Sequence, residues 1–365
     1  MGLSSKAGSP AYYPFMDGFR ALAALAVILH HLGNCFDLGS FFPRCLSEGV
    51  GRFTFMGSVG VDIFFVISGF LISGLLFEDL PSRIRVRRFY LRRSFKMLPQ
   101  YLAVVLVSMA VLFFSAPSEL HPLGVLSYFL LFQNYIAPIG LLAHLWSIAV
   151  EEHFYILYPI LLQGVGRIGK DLRERKRILL ASFLVIMVIV FFVRRQTFIS
   201  LPYNENLIYQ MSHLRIDALL CGGTIKLFEN DLKGTVSVKF KYFPCICFWL
   251  GMALFYKLFI AYDQYRSMTY VWAYAAGGSL LTSALCGFRP LLALTENGLM
   301  RWVGRCSYGI YIWHYLIIVQ MHSLVKGQST GAAVVITFLL TIGAGVLSTV
   351  TVEKYFLNLR TKLVR

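Results

Sequence analysis

The sequence predicts an all-α, polytopic integral membrane protein of about ten transmembrane helices with both termini in the cytoplasm. Three observations carry this. Hydrophobic residues make up 57% of the 365, only 14% are charged and mean hydropathy is +0.66, proportions outside those of soluble domains. Apolar stretches of about 18 residues or more, long enough to cross a hydrocarbon core, recur along the whole chain. The Lys and Arg residues fall in blocks between alternate stretches, as the positive-inside bias requires.

The expected spans, in order, are 19–36, 59–77, 98–115, 145–163, 178–193, 207–228, 242–260, 268–287, 306–325 and 332–352. The first is not a cleavable leader, because it holds Arg20, His30 and His31 and no small-residue cleavage pattern follows. Segment 119–138 is interrupted by Pro122, Gln133, Asn134 and Pro138, so it is expected not to span. Counting ten spans puts seven cations over 83–96, six over 167–177 and four over 226–241 on the cytoplasmic side. The opposite side receives Arg44, Arg52, Arg194, Arg195, Lys257, Arg266 and Lys326. An eleventh span at 119–138 would invert the cluster over 167–177.

The net charge of +16 is accounted for by cytoplasmic loops meeting anionic lipid, and nucleic acid is not needed as a partner. The seven cysteines are scattered, and Cys245 and Cys247 lack a second pair, so no metal site is expected and ordinary packing is. A disulfide between Cys35 and Cys45 would be the one pairing within reach of the same external loop. No long repeat appears. The chain reads as a single membrane domain, 1–365, without an extra extracytoplasmic domain.

Ionisable groups inside apolar spans are costly and so are functional candidates. In FRALAALAVILHHLG, Arg20 and His31 are eleven residues apart, which places them on one helix face within about 20° and roughly 16 Å apart along the axis. Glu151 and Glu152 fall roughly 9–11 Å and Arg215 and Asp217 roughly 12–15 Å below the outer surface, with Asp62 just inside it and His314 about 12 Å from the cytoplasm. Several spans thus feed one central layer, which implies a polar cavity shielded from lipid. Asp62 could equally cap its helix, and Arg215 with Asp217 could be a structural ion pair.

Six segments, in order, resemble the membrane-bound O-acyltransferases of acyltransferase family three, which modify glycans and related hydroxyl compounds. They are MDGFRALAALAVILHH, GVDIFFVISGFLIS, FYLRRSFKMLPQYL, HLWSIAVEEHFYILYP, HLRIDALLCGG and VGRCSYGIYIWHYL. By this resemblance Arg20 and His31 are the hallmark pair, His31 is the catalytic base, and Arg93 with Lys96 are the paired basic residues after the second span. Two departures stand out. Lys96 replaces an arginine, giving up a planar grip on phosphate, and His153 follows the glutamates where relatives commonly have glutamine.

The resemblance implies a donor acyl-CoA, expected to be acetyl-CoA, and no bound cofactor. Its anionic end would lie near Arg20, Arg92, Arg93 and Lys96 while the pantetheine arm carries the thioester inward. The acceptor, a glycan or lipid-linked glycan, would arrive from outside. His31 would take the acceptor's proton, with Glu151 or Glu152 orienting the imidazole and Asp62 the weaker candidate for that role. A covalent acyl-histidine is the variant route. Trp146, Ser147, Tyr155 and Tyr308, with Arg215, Asp217 and His314, are assigned to acceptor contact or structural support. The competing class is a transporter or flippase using Arg215, Asp217 and His314 as a proton or substrate path; it predicts paired broken halves, which the sequence does not display. The expected location is the bacterial plasma membrane.

Overall fold

A computed structural model of the chain describes residues 12–77, 86–136, 138–201, 209–238, 240–260, 266–325 and 330–363. Among the described residues every regular element is helical. The longer helices are α1 (Pro14–Phe36), α2 (Arg44–Met56), α3 (Gly60–Phe77), α4 (Val86–Ser115), the short α5 (Pro122–Phe129), α6 (Trp146–Ile168) and α7 (Leu172–Ser200). Then follow α8 (Ile216–Leu227), α9 (Glu229–Val238), α10 (Phe243–Ile260), α11 (Arg266–Leu285), α12 (Arg289–Thr295), α13 (Gly298–Leu324), α14 (Gly331–Ser348) and α15 (Lys354–Leu363).

Among the described residues, six helical segments are long and apolar enough to cross a membrane, and a seventh would count if the bent pair around residues 286–288 were one span. Helices α6 and α13, of 23 and 27 residues, have the length but carry too many polar groups to qualify. Both are packed among other helices, so their polar faces meet protein rather than lipid. Segment 119–138 forms only the eight-residue α5 and short 3₁₀ turns.

Two elements differ from the sequence reading. The basic stretch over 87–96 is helical rather than a loop, and Arg83 and Arg85 lie outside the described residues. α4 begins at Val86, so Arg87, Arg88, Arg92, Arg93 and Lys96 lie on its first turns, which suits long unbranched side chains with good helix propensity. The span expected over 207–228 is instead the twelve-residue α8, preceded by a 3₁₀ turn at Ser212–Leu214. Residues 207 and 208 lie outside the described residues. Arg215, in an irregular conformation between turn and helix, is where the break falls.

Helix α1 packs along α13, and its small residues Ala21 and Ala24 are fully buried there. Small side chains let two helices approach closely where lipid offers no hydrophobic drive between them. The same device joins α3 to α8. A Cβ added at Gly69 would stand 1.8 Å from the carbonyl oxygen of Leu219, and one at Gly222 would stand 1.9 Å from that of Val66. Only glycine fits at this crossing. Helices α7 and α10 pack with little of their surface against the rest. Leu184, Val185 and Phe192 of α7 and Trp249 of α10 are exposed, as side chains facing lipid would be.

Candidate active site

Three of the polar groupings inside this bundle hold residues that the sequence singled out. The first lines a cavity of about 130 Å³ enclosed by α1, α3, α4, α6 and α13. Arg20, Arg93 and Lys96 supply its positive charge, and Glu151, Ser147 and Tyr308 its other polar groups. Helical spacing explains the convergence: Arg93 and Lys96 are three residues apart on α4 and share one face. Arg92 is exposed and does not line the cavity.

Arg93 is held in place. Its guanidinium lies over the Tyr155 ring at 3.3 Å from the centroid, Nη2 reaches Glu151 Oε2 at 3.4 Å, and Nε is 3.8 Å from Glu152 Oε1. Tyr155 donates to Glu151 Oε2 at 2.9 Å and meets the hydroxyl of Ser68. The two glutamates therefore orient an arginine, and no contact brings either to His31 among the described residues. Tyr308 donates to the carbonyl of Met97 at 2.8 Å, tying α13 to α4 at the cavity wall.

The second grouping surrounds His31, which is half-buried on α1. Its ring centroid lies 5.1 Å from that of His314, 4.9 Å from His30 and 4.8 Å from Tyr315. His144 stands behind, 4.9 Å from His314 and 5.3 Å from Tyr315. Tyr311 is the wall shared by both groupings. It lines the cavity, its ring is 5.3 Å from His314, and its hydroxyl is 2.5 Å from Ser147 Oγ. Among the described residues no three ligating side chains are arranged to hold a metal ion.

The third grouping is a pair of buried ion pairs. Arg215 donates to Asp62 Oδ1 at 2.9 Å, while Asp217 is paired with Arg194 of α7, which also donates from Nε to the carbonyl of Leu214 at 2.9 Å. The Arg215–Asp217 pair read from the sequence is thus replaced by two crossed pairs. Arg215 sits in the irregular backbone before α8 and Asp217 in its first turn, and each finds its partner on another helix. Arg194 is buried and belongs to this interior rather than to the external set. Trp146 packs against Tyr209 and Phe65 beside Arg215 and is not itself among the residues lining the cavity.

His144, Tyr311, Tyr315, Ser68 and Arg194 were not singled out by sequence reasoning. Signals existed for two. His144 precedes Trp146 by two residues at the head of HLWSIAVEEHFYILYP, and Tyr311 is one turn before His314 in GIYIWHYL. The cysteines of the described residues are unbridged, Cys35 and Cys45 included.

A family model described as an acyltransferase domain matches residues 13–352. The chain is 28% identical to the peptidoglycan O-acetyltransferase OatA of Listeria monocytogenes over 339 residues, covering 85% of this chain and 50% of that protein. It is 26% identical to the O-acetyltransferase OatA of Staphylococcus aureus over 369 residues, covering 91% and 55% respectively. The chain therefore spans about half the length of the curated relatives it matches. No solved structure matches it. The long apolar helices and these bacterial relatives together mark an integral bacterial membrane protein.

Proposed function

Because the chain belongs to the acyltransferase domain family, whose model covers nearly all of it, we propose that it is a membrane O-acyltransferase acting from cytoplasmic acyl-CoA onto a glycan hydroxyl. The relatives' names support acetyl as the group moved and peptidoglycan as the class of acceptor. The observation that carries the reading is the joined pair of groupings. A cavity lined by three cations also has Tyr311 in its wall, and the Tyr311 ring lies 5.3 Å from that of His314 in the histidine cluster.

In this reading Arg20, Arg93 and Lys96 bind the phosphates or the amide-rich arm of the donor, and the thioester lies toward Tyr311 and Ser147. About 130 Å³ suits a two-carbon acyl thioester and the tip of its arm. His31 takes the proton of the acceptor hydroxyl as its oxygen attacks the thioester carbonyl. A C–O bond forms, the C–S bond breaks, and the departing thiolate is protonated, so the imidazole returns to its neutral form. Glu151 and Glu152 act at one remove, by fixing Arg93. Both chain ends and the basic turn of α4 would face the cytoplasm, with ten crossings in all. The transporter reading needs Arg215 and Asp217 to share one path, whereas each is paired with a residue of a different helix, Asp62 of α3 and Arg194 of α7.

The test is acyl transfer by the purified protein in detergent, with isotopically labelled acetyl-CoA and a soluble peptidoglycan fragment. Labelled ester on the glycan supports the proposal. Failure to bind acetyl-CoA in a direct binding measurement removes the donor from it.

A further inference from the structure

Two imidazoles beside His31 have tautomers that the main chain fixes. His144 Nε2 is 3.0 Å from the carbonyl oxygen of Ile312. A carbonyl only accepts, so Nε2 carries the proton and Nδ1 is a bare lone pair. His314 Nδ1 is held against the carbonyl of Tyr311, which puts its proton there and leaves Nε2 as the lone pair. Among the described residues neither His144 Nδ1 nor His314 Nε2 has a partner, and the two side chains are 4% and 0% exposed. A buried acceptor left without a donor is destabilising. Two of them in neighbouring rings describe a cluster built to receive an N–H or O–H.

His31 and Tyr315 both face these rings, and of the two His31 lies nearer to His314. The His31 ring is 5.1 Å from that of His314 and tilted by 40° to it. The other titratable groups facing His31 are His30 on its own helix and Tyr315 on α13. The carboxylates that would otherwise orient an imidazole are committed to arginines: Glu151 and Glu152 to Arg93, Asp62 to Arg215 and Asp217 to Arg194.

We propose that His314 is the positioning residue of His31, its Nε2 accepting the His31 N–H so that one neutral tautomer is fixed and the opposite nitrogen is left free for the acceptor hydroxyl. The Tyr311 carbonyl holds His314 in turn, and His144, packed edge-on at 80°, holds the plane of its ring. A neutral partner orients the base without the full charge that would draw it into the imidazolium form. The idea rests on His31 being the base proposed above.

Three variants and one spectroscopic measurement test it. His314→Ala should lower kcat by on the order of 10- to 100-fold, the usual effect of losing an orienting partner, with the KM for acetyl-CoA unchanged. His314→Gln, whose Oε1 can stand where Nε2 stood, should recover most of that loss. Equal losses in the Gln and Ala variants, or full kcat in the Ala variant, would overturn the proposal. Histidine ¹⁵N spectra of the wild-type protein supply a readout that survives misfolded variants. They should show His31 and His314 each in a single neutral tautomer, and a tautomer mixture at His31 would also overturn it. A His31→Ala variant that keeps its turnover removes the base itself. A dead His31→Ala with indifferent His314 variants removes only the positioning role.

Discussion

Asp62, in the first turn of α3, accepts a hydrogen bond from Arg215 Nη2 at 2.9 Å, and the two side chains are 4% and 1% exposed. Phe65, Trp146, Tyr209 and Tyr270 surround the guanidinium, at 4.2 Å for the nearest ring. The pair joins α3 to the irregular backbone that opens α8. Asp62→Asn should therefore leave a buried guanidinium unpaired, lowering stability by about 3–5 kcal/mol. The double replacement of Asp62 and Arg215 by Met should cost far less. Thermal unfolding in detergent distinguishes these outcomes, and equal destabilisation of both variants would mean that the pair does not act as a unit.

His31→Ala should reduce acyl transfer by about 10²- to 10⁴-fold, the range for loss of a general base, with the unfolding midpoint kept. Wild-type turnover in this variant would take His31 out of the chemistry.

Lys96→Gln should raise the apparent KM for acetyl-CoA by about 10-fold, equivalent to about 1.4 kcal/mol of binding, and leave kcat near its original value. Arg93→Gln should do the same and also lower the unfolding midpoint, because Glu151 and Glu152 lose their common partner. An unchanged KM in both variants would place the donor elsewhere.

Gly222→Val should destabilise the α3–α8 crossing more than Gly164→Val alters α6. A side chain at 222 meets the main chain of Val66, whereas nothing stands within 4 Å of a Cβ at 164. Overpacking against fixed backbone costs about 1–3 kcal/mol or more, and similar unfolding midpoints for the two variants would contradict the crossing.

At the start of α9, burial pushes the Glu229 carboxyl upward, but hydrogen bonds from Lys226, Lys233 and Tyr13 outweigh it and hold the group below the usual carboxylate range. Depressed in the folded state, it contributes stability that is present above its unfolded value and is lost as pH falls through the folded one. The gap in unfolding midpoint between wild type and Glu229→Gln should therefore close on acidification below about pH 4, near the ordinary glutamate value. A gap that persists or widens there would contradict the assignment.

Hydropathy and the order of six motifs were enough to read an all-helical membrane chain, its family, and three cations, Arg20, Arg93 and Lys96, that line one cavity. These are local properties. Apolar length, helical periodicity and charge between spans depend on neighbours in the chain, so the one-dimensional order records them. The close approach of Arg93 and Lys96 follows likewise from three-residue spacing on one helix.

Pairing across helices was not recorded there. Glu151 and Glu152 turn to Arg93, Asp62 to Arg215, and Asp217 to an arginine that the sequence had placed outside the membrane. His144 joins His31 only because a 3₁₀ turn at Gly140–Leu145 packs against α13, more than a hundred residues on. In a low-dielectric interior each charge takes whichever opposite charge the packing brings nearest. The sequence by itself determined most of the ionisable groups that lie inside the bundle, though not Arg194, because burying them unpaired is so costly. Tertiary structure alone decided which of them meet, because close packing of α1, α3, α6, α8 and α13 sets those distances.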